Sequence, residues 1–363
     1  MPNEKIRVLI VDDTALYRKI LKDVLQDFPE LEIAGTAPNG RIALDKIKQL
    51  RPDMVTMDIE MPEMNGLDTL QNIKSAGIDT AVIMVSAHTQ RDAEVTLKAL
   101  ELGAFDFIAK PSEGNFAENI ENLKAQFKDK IEAFISRMSF KPAKKPADRA
   151  ERKVQKPAVP DIQPQRRKTA APLGKAKIVA IGVSTGGPRA LSEIIPKLPG
   201  NLPVPIVIVQ HMPPVFTKAL AESLDKKSEL TIKEAANGDQ LRPAHVYIAP
   251  GGRQMKVKKV NSSLQIEITE DPPENHCRPA ADYLFRSVAE SYRNNSLGVI
   301  LTGMGRDGTK GLSLMKDCGA RVFAQNKETC VVFGMPMEAI KAGIVDEILP
   351  LSEIAGKIAG NVN

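Results

Sequence analysis

The sequence predicts an α/β protein of two domains. An N-terminal five-stranded, doubly wound domain precedes an α/β domain with a mostly parallel sheet. Three observations carry this expectation. Residues 1 to about 136 alternate short apolar runs with amphipathic stretches whose apolar residues recur at helical spacing. From residue 176 the alternation returns, less regularly. Between the two lies a segment with the composition of neither. Strands alternating with helices imply a parallel sheet covered on both faces.

In the first domain the strand candidates are IRVLIV, LEIAGTA, DMVTMD, AVIMVS and FDFIAK. ALYRKILKDVLQDF, GRIALDKIKQL, GLDTLQNIKSA and DAEVTLKALELGA read as the intervening helices. FAENIENLKAQFKDKIEAFISRM reads as a last helix running to about residue 137. Residues 138–175 follow as a basic, proline-rich linker. Between Lys141 and Lys177, twelve Lys or Arg face three acidic residues, a local +9 in a chain of net +5, which leaves −4 for the remainder. Six prolines and few large apolar side chains cannot bury enough surface to offset ordering entropy. The segment reads as a solvated, semi-extended tether, with a docking site for an acidic partner as the other reading. Basic character confined to one segment gives no argument for nucleic acid binding.

In the second domain, residues 176–363, the strand candidates are KIVAIGV, PIVIVQ, HVYIAP, LQIEITE, LGVILTG, ARVFAQ and EILPL, with a hairpin-like insert around 245–270. Helix candidates are PRALSEIIPKL, FTKALAESLDKK, AADYLFRSVAESYR, TKGLSLMKDCG and MPMEAIKAG. No apolar run approaches the ~20 residues of a membrane helix, and the N-terminus lacks the shape of a signal peptide. Cys277, Cys318 and Cys330 are widely spaced and form no zinc or disulfide pattern. A reducing, cytoplasmic setting is expected.

Ligands of open parallel sheets bind beyond the carboxyl ends of the strands. Asp12 and Asp13 end the first strand, Asp58 the third and Ser86 the fourth, and Lys110 follows the fifth. Carboxylates converging there would repel one another unless a hard divalent cation such as Mg²⁺ joined them. Lys110 and Ser86 suit the oxygens of a phosphoryl group. The chemistry implied is phosphoryl transfer onto Asp58 as an acyl phosphate. VDD, MDIEMPEMNG, VSAHT and FIAKP occur in the order of response-regulator receiver domains, which residues 1–125 resemble. The resemblance implies Mg²⁺ held by Asp12, Asp13, Asp58 and the backbone carbonyl of Glu60. It also implies phosphorylation of Asp58, sensed by Ser86 and Lys110. Phe107 stands where that family keeps a switching aromatic; the other reading is a core residue.

IGVSTGGPRA, residues 181–190, leaves a strand through Ser184 set among glycines. Two readings compete: a backbone cradle for phosphate, or a presented nucleophile. The stretch matches G-x-S-x-G but neither G-x-G-x-x-G nor a Walker loop. A nucleophile needs a base and an orienting acid at neighbouring strand ends. Of four histidines, His88 reads as a loop residue of the first domain and His245 as a strand start. His211 directly follows PIVIVQ and is favoured, with His276 second. Asp307 in LGVILTGMGRDGTKGL supplies the acid. The N–H of Thr185 can face an oxyanion at the helix start, and Met304 can supply a second donor.

IGVSTGGP, VQHMPP, VYIAPGG, HCRPAADYLFRSV, GVILTGMGRDG and VVFGMP occur in the order of the catalytic domain of chemotaxis protein-glutamate methylesterases. Residues 176 to about 358 resemble that family. The resemblance implies a Ser184–His211–Asp307 triad hydrolysing glutamate methyl esters, and deamidating glutamines, on methyl-accepting chemoreceptors. It implies no cofactor for the ester reaction. The phosphodonor would be a chemosensory histidine kinase, and the unphosphorylated receiver would cover the cleft. One departure stands at Gln254, near which relatives carry histidine. The competing class is a regulator whose output is binding, but no helix-turn-helix or aromatic-interleaved basic stretch supports it.

Overall fold

The computed structural model describes residues 5–87, 89–111, 115–140, 174–261 and 263–362. The linker expectation for 141–173 and the reading of His88 lie outside these residues. The first domain contains β1 (Ile6–Val11), α1 (Ala15–Gln26), β2 (Leu31–Ala37), α2 (Gly40–Leu50) and β3 (Met54–Asp58). It continues through α3 (Gly66–Ser75), β4 (Ala81–Ser86), α4 (Gln90–Glu101), β5 (Asp106–Ala109) and α5 (Phe116–Phe140). The last helix thus passes the end expected near residue 137.

The strands pair in parallel in the order β2-β1-β3-β4-β5. β3, β4 and β5 are buried at every position, as strands covered on both faces must be. The helix starts are closed by side chains: Thr14, Asn39, Asn65 and Thr89 accept N–H bonds from the first turns of α1 to α4.

The second domain contains β6 (Ile178–Val183), α6 (Gly187–Ile194), β7 (Ile206–Gln210), α7 (Phe216–Asp225), β8 (Thr231–Glu234), β9 (His245–Ile248), β10 (Gln254–Val260) and β11 (Ser263–Thr269). Then come α8 (Ala281–Tyr292), β12 (Ser296–Ile300), α9 (Thr309–Asp317), β13 (Arg321–Gln325), α10 (Met335–Lys341), β14 (Glu347–Leu349) and α11 (Leu351–Gly360). Seven strands form one sheet in the order β14-β13-β12-β6-β7-β9-β8, every pair parallel. β10 and β11 form a separate antiparallel hairpin.

Two of these elements escape the sequence patterns, and a third, β10, falls in the hairpin-like insert expected around 245–270 without reading as a strand by itself. β8 has a single apolar residue, Ile232, as an edge strand can. β10 interleaves its apolar residues with lysines. α11 carries two glycines, Gly356 and Gly360, which weaken its helical signal.

In both sheets the strand order reverses between two inner strands, and there a crevice opens beyond the strand ends. In the first it lies between β1 and β3. In the second it lies between β6 and β12.

Candidate active site

Asp12 and Asp58 leave β1 and β3 at the first crevice, beside Asp13. One oxygen from each of the three carboxylates lies within 4.8 Å of the others. Lys110 Nζ reaches both Asp12 Oδ2 at 3.1 Å and Asp58 Oδ1 at 2.9 Å. Asp58 Oδ1 also accepts the N–H of Ile59 at 2.8 Å. Burial pushes the Asp58 carboxyl above the usual carboxylate range, against the pull of Lys110. Ser86 Oγ accepts from Thr96 Oγ1 at 2.9 Å, at the end of β4. The side chain of Glu60 points out to solvent and pairs with Arg91 at 3.4 Å. Asp12, Asp13, Asp58, Ser86 and Lys110 therefore share one edge of one sheet.

At the second crevice, Ser184 leaves β6, His211 leaves β7 and Asp307 follows β12. His211 Nε2 lies 2.8 Å from Asp307 Oδ2. That carboxylate is saturated: it also takes the N–H of Ala281 at 2.6 Å, the N–H of Asp282 at 3.1 Å and Asn275 Nδ2 at 2.8 Å. Burial works against its charge, but the His211 contact and these donors outweigh it and hold its pKa below the usual range. Burial also opposes the imidazolium of His211, yet the Cys277 sulfur and the Asp307 carboxylate hold its pKa above the ordinary value. Since Nε2 faces Asp307, Nδ1 is the nitrogen left for chemistry, and Cys277 Sγ stands 3.7 Å from it.

Among the described residues Ser184 Oγ makes no hydrogen bond, and the N–H groups of Thr185 and Met304 donate to no other group. The helix start of α6 has no side-chain cap; Gly186 turns there with φ 81°. A Cβ on Gly186 would meet Val331 Cβ at 2.6 Å, and one on Gly303 would meet Ser184 Cβ at 2.7 Å. Glycine at 303 thus lets the β6 and β12 exits approach each other, and glycine at 186 makes room for the loop after β13.

The first domain covers this site. Phe107 packs against Phe216, ring centroids 4.4 Å apart. Thr185 Oγ1 donates to Asp106 Oδ2 at 2.6 Å, and Lys130 Nζ meets the same oxygen at 2.9 Å. Helix α4 lies against α6 and α7, where Glu101 accepts from Ser192 Oγ at 2.9 Å and from Lys227 Nζ at 2.5 Å. A cleft of about 770 Å³ remains, lined by Ser184, His211, Cys277 and Met304 together with Phe107 and Lys130.

Residues 8–121 match the family described as response regulator receiver domain, and residues 179–358 match CheB methylesterase. A Desulfotalea psychrophila protein named protein-glutamate methylesterase/protein-glutamine glutaminase is 47% identical over 365 residues, 99% of each chain. A Bacillus subtilis protein of the same name is 44% identical over 360 residues, 98% of each chain. This chain belongs to that family. A solved structure of the Thermotoga maritima CheB methylesterase catalytic domain is 50% identical, with a TM-score of 0.51, covering 52% of this chain and 99% of that one. The two-domain α/β reading and the family resemblance of the sequence hold.

Membership in the methylesterase family does not by itself point to Asn275 or Asp106, and sequence reasoning missed both. ENHCRPAAD drew attention through His276, which is exposed and lines the cleft. Its neighbours make the contacts instead. Asn275 Nδ2 bridges Asp307 to Asp282, whose Oδ2 it meets at 2.9 Å. Asn275 and His276 both have positive φ, 52° and 63°, which no spacing rule reveals. Asp106 read as a strand residue and turned out to face the other domain. His245 begins β9, away from the site, and its Nδ1 stays near Pro243 O at 2.8 Å. The Gln254 departure is a structural contact. Its buried amide donates to Pro272 O at 3.1 Å and accepts from Ala280 N at 2.9 Å, pinning the segment that carries Asn275 and Cys277.

Proposed function

We propose that this chain is a phosphorylation-gated serine hydrolase that cleaves glutamate methyl esters, and deamidates glutamines, on methyl-accepting chemoreceptors. The observation that carries the reading is the convergence of Ser184, His211 and Asp307 at neighbouring strand ends beneath a receiver domain. Ser184 Oγ attacks the ester carbonyl and its proton passes to His211 Nδ1. Asp307 holds Nε2–H, fixes the ring and stabilises the imidazolium without taking the proton. The N–H groups of Thr185 and Met304 receive the oxyanion. The imidazolium then protonates departing methanol, and water, deprotonated by the same nitrogen, cleaves the acyl-enzyme. A glutamine amide follows the same path with ammonia as leaving group.

In this covered conformation Ser184 and His211 are not yet hydrogen-bonded, and Asp106 holds the hydroxyl of Thr185. The arrangement supports a resting state that phosphorylation releases. The oxygen-only cluster of Asp12, Asp13 and Asp58 fits Mg²⁺, with the Glu60 carbonyl as a further ligand. When bound there, Mg²⁺ would neutralise charge on the transferring phosphoryl group. Asp58 accepts that group from a chemosensory histidine kinase, and Ser86 and Lys110 engage its oxygens. Movement of Lys110 at the end of β5 reaches Asp106 and Phe107, which start the same strand. Differential affinity of phosphate for the open and covered states is what shifts the equilibrium. Among the described residues no helix is long and apolar enough to cross a membrane.

The reading is tested by incubating the chain with receptor membranes carrying labelled glutamate methyl esters. Methanol release is expected from the native protein and not from Ser184→Ala. Full release by Ser184→Ala would overturn it.

A further inference from the structure

His211 and Cys277 form a pair that the ester reaction does not require. Cys277 Sγ lies 3.7 Å from His211 Nδ1, on the side of the ring away from Asp307. A tetrahedral zinc ion with Zn–S about 2.3 Å and Zn–N about 2.05 Å separates its sulfur and nitrogen ligands by about 3.6 Å. The pair is thus already spaced as two ligands of one ion. The far nitrogen is in place too: Nε2 meets Asp307 at 2.8 Å, the carboxylate–histidine partnership that orients a metal-bound imidazole. Nitrogen, sulfur and carboxylate ligand atoms of the three residues lie within 4.8 Å of one another. The cleft that Ser184 lines reaches His211 and Cys277, so an ion has both an entry path and room for water ligands.

We propose that His211 Nδ1 and Cys277 Sγ form an inhibitory site for a thiophilic divalent cation, Zn²⁺ above all, with Asp307 as the outer-shell partner. Binding forms a Zn–S and a Zn–N bond and releases to solvent the thiol proton of Cys277 and, where His211 is an imidazolium, the proton on its Nδ1. The occupied nitrogen is the one that would take the proton of Ser184, so the bound enzyme cannot activate its nucleophile. Inhibition rests on the proposed role of His211; binding does not. The ligand types also sort the cations. Sulfur and imidazole favour zinc over magnesium, whereas the three aspartates of the first domain favour magnesium. One chain therefore answers two divalent ions in opposite directions: the hard one supports activation and the soft one stops turnover.

The test uses the intact chain, Cys277→Ser, and Cys318→Ser and Cys330→Ser as controls. Binding is read with Co²⁺, whose thiolate charge-transfer absorption reports sulfur ligation, and by zinc competition against a chromophoric chelator. Inhibition is read as methanol release at buffered free Zn²⁺, each variant relative to its own metal-free rate, and reversed by chelator. The expected result is a thiolate–cobalt band absent only from Cys277→Ser. Half-inhibition in that variant should need at least about tenfold more zinc, the scale set by loss of even an outer-shell partner. A missing band in the native chain, a band that persists in Cys277→Ser, or equal inhibition of both proteins overturns the proposal. If no protein releases methanol, the function reading fails, and the cobalt band still decides the site.

Discussion

Asp58 and Asp307 stand at matching places in two different sheets, and the comparison explains their different work. Each lies where strand order reverses, Asp58 as the last residue of β3 and Asp307 in the loop after β12. Asp58 keeps few partners, Lys110 and the N–H of Ile59, and burial raises its pKa. Asp307 accepts from His211, Asn275, Ala281 and Asp282, and its pKa is lowered. Under the proposed function, the carboxylate that takes the phosphoryl group is left with open lone pairs. The one proposed to orient an imidazole is saturated and fixed. The helix starts show the same division. α1 to α4 are closed by Thr or Asn side chains, whereas none of α6 to α11 has a side-chain cap, α6 beside Ser184 among them. The first domain closes these helix starts with side chains and keeps its open groups in one acid cluster; the second leaves the N–H groups of Thr185 and Met304 beside Ser184 without a partner among the described residues.

This contrast can be broken at several points. The largest effect is expected from Asp307→Asn, which keeps the shape but favours the wrong tautomer of His211. Methanol release should fall by about 10⁴-fold, as the same change does in a serine protease triad. Asp58→Asn should remove all stimulation by a phosphodonor, read as the ratio of rates with and without it. Asp106→Ala removes a charge-assisted bond to Thr185 that is worth about 1.5–3 kcal/mol. The unphosphorylated rate should rise about tenfold, with a smaller response to phosphodonor; an unchanged rate would show the bond has no part in covering the site. Asn275→Ala should lower kcat by about 10-fold, the low end for one hydrogen bond to a charged group, leaving KM nearly unchanged.

The pH profile sharpens the same comparison. His211 must be neutral to accept a proton, and its surroundings hold its pKa above the ordinary imidazole value of about 6.5. The rate should therefore rise with pH along a limb lying above that value. Loss of the Asp307 charge in Asp307→Asn should move the limb down. A limb that stays put in the variant would separate His211 from the ionisation that governs the rate.

Much of this was legible in the sequence because strand ends announce themselves. Apolar runs followed at once by Asp12, Asp58, Ser184 or His211 place those side chains on one edge without further information. Contacts made by irregular segments were not legible. Asn275 acts through a backbone of positive φ between a hairpin and a helix, and no periodicity encodes that. The partner of Asp106 lies 79 residues away in another domain. β8 and β10 were hidden for a different reason. An edge strand and a hairpin need little continuous apolar surface, so their patterns resemble loops. The Gln254 amide fills a structural role that its place in the sequence did not show.

The most direct measurement follows methanol release by the intact chain before and after a small phosphodonor with Mg²⁺, beside Asp58→Asn and Asp106→Ala. The account predicts a low rate that rises with phosphodonor in the native chain, stays low in Asp58→Asn, and starts high in Asp106→Ala. A native rate that phosphodonor leaves unchanged, with Asp106→Ala no faster, would contradict the coupling of the two strand-end sites.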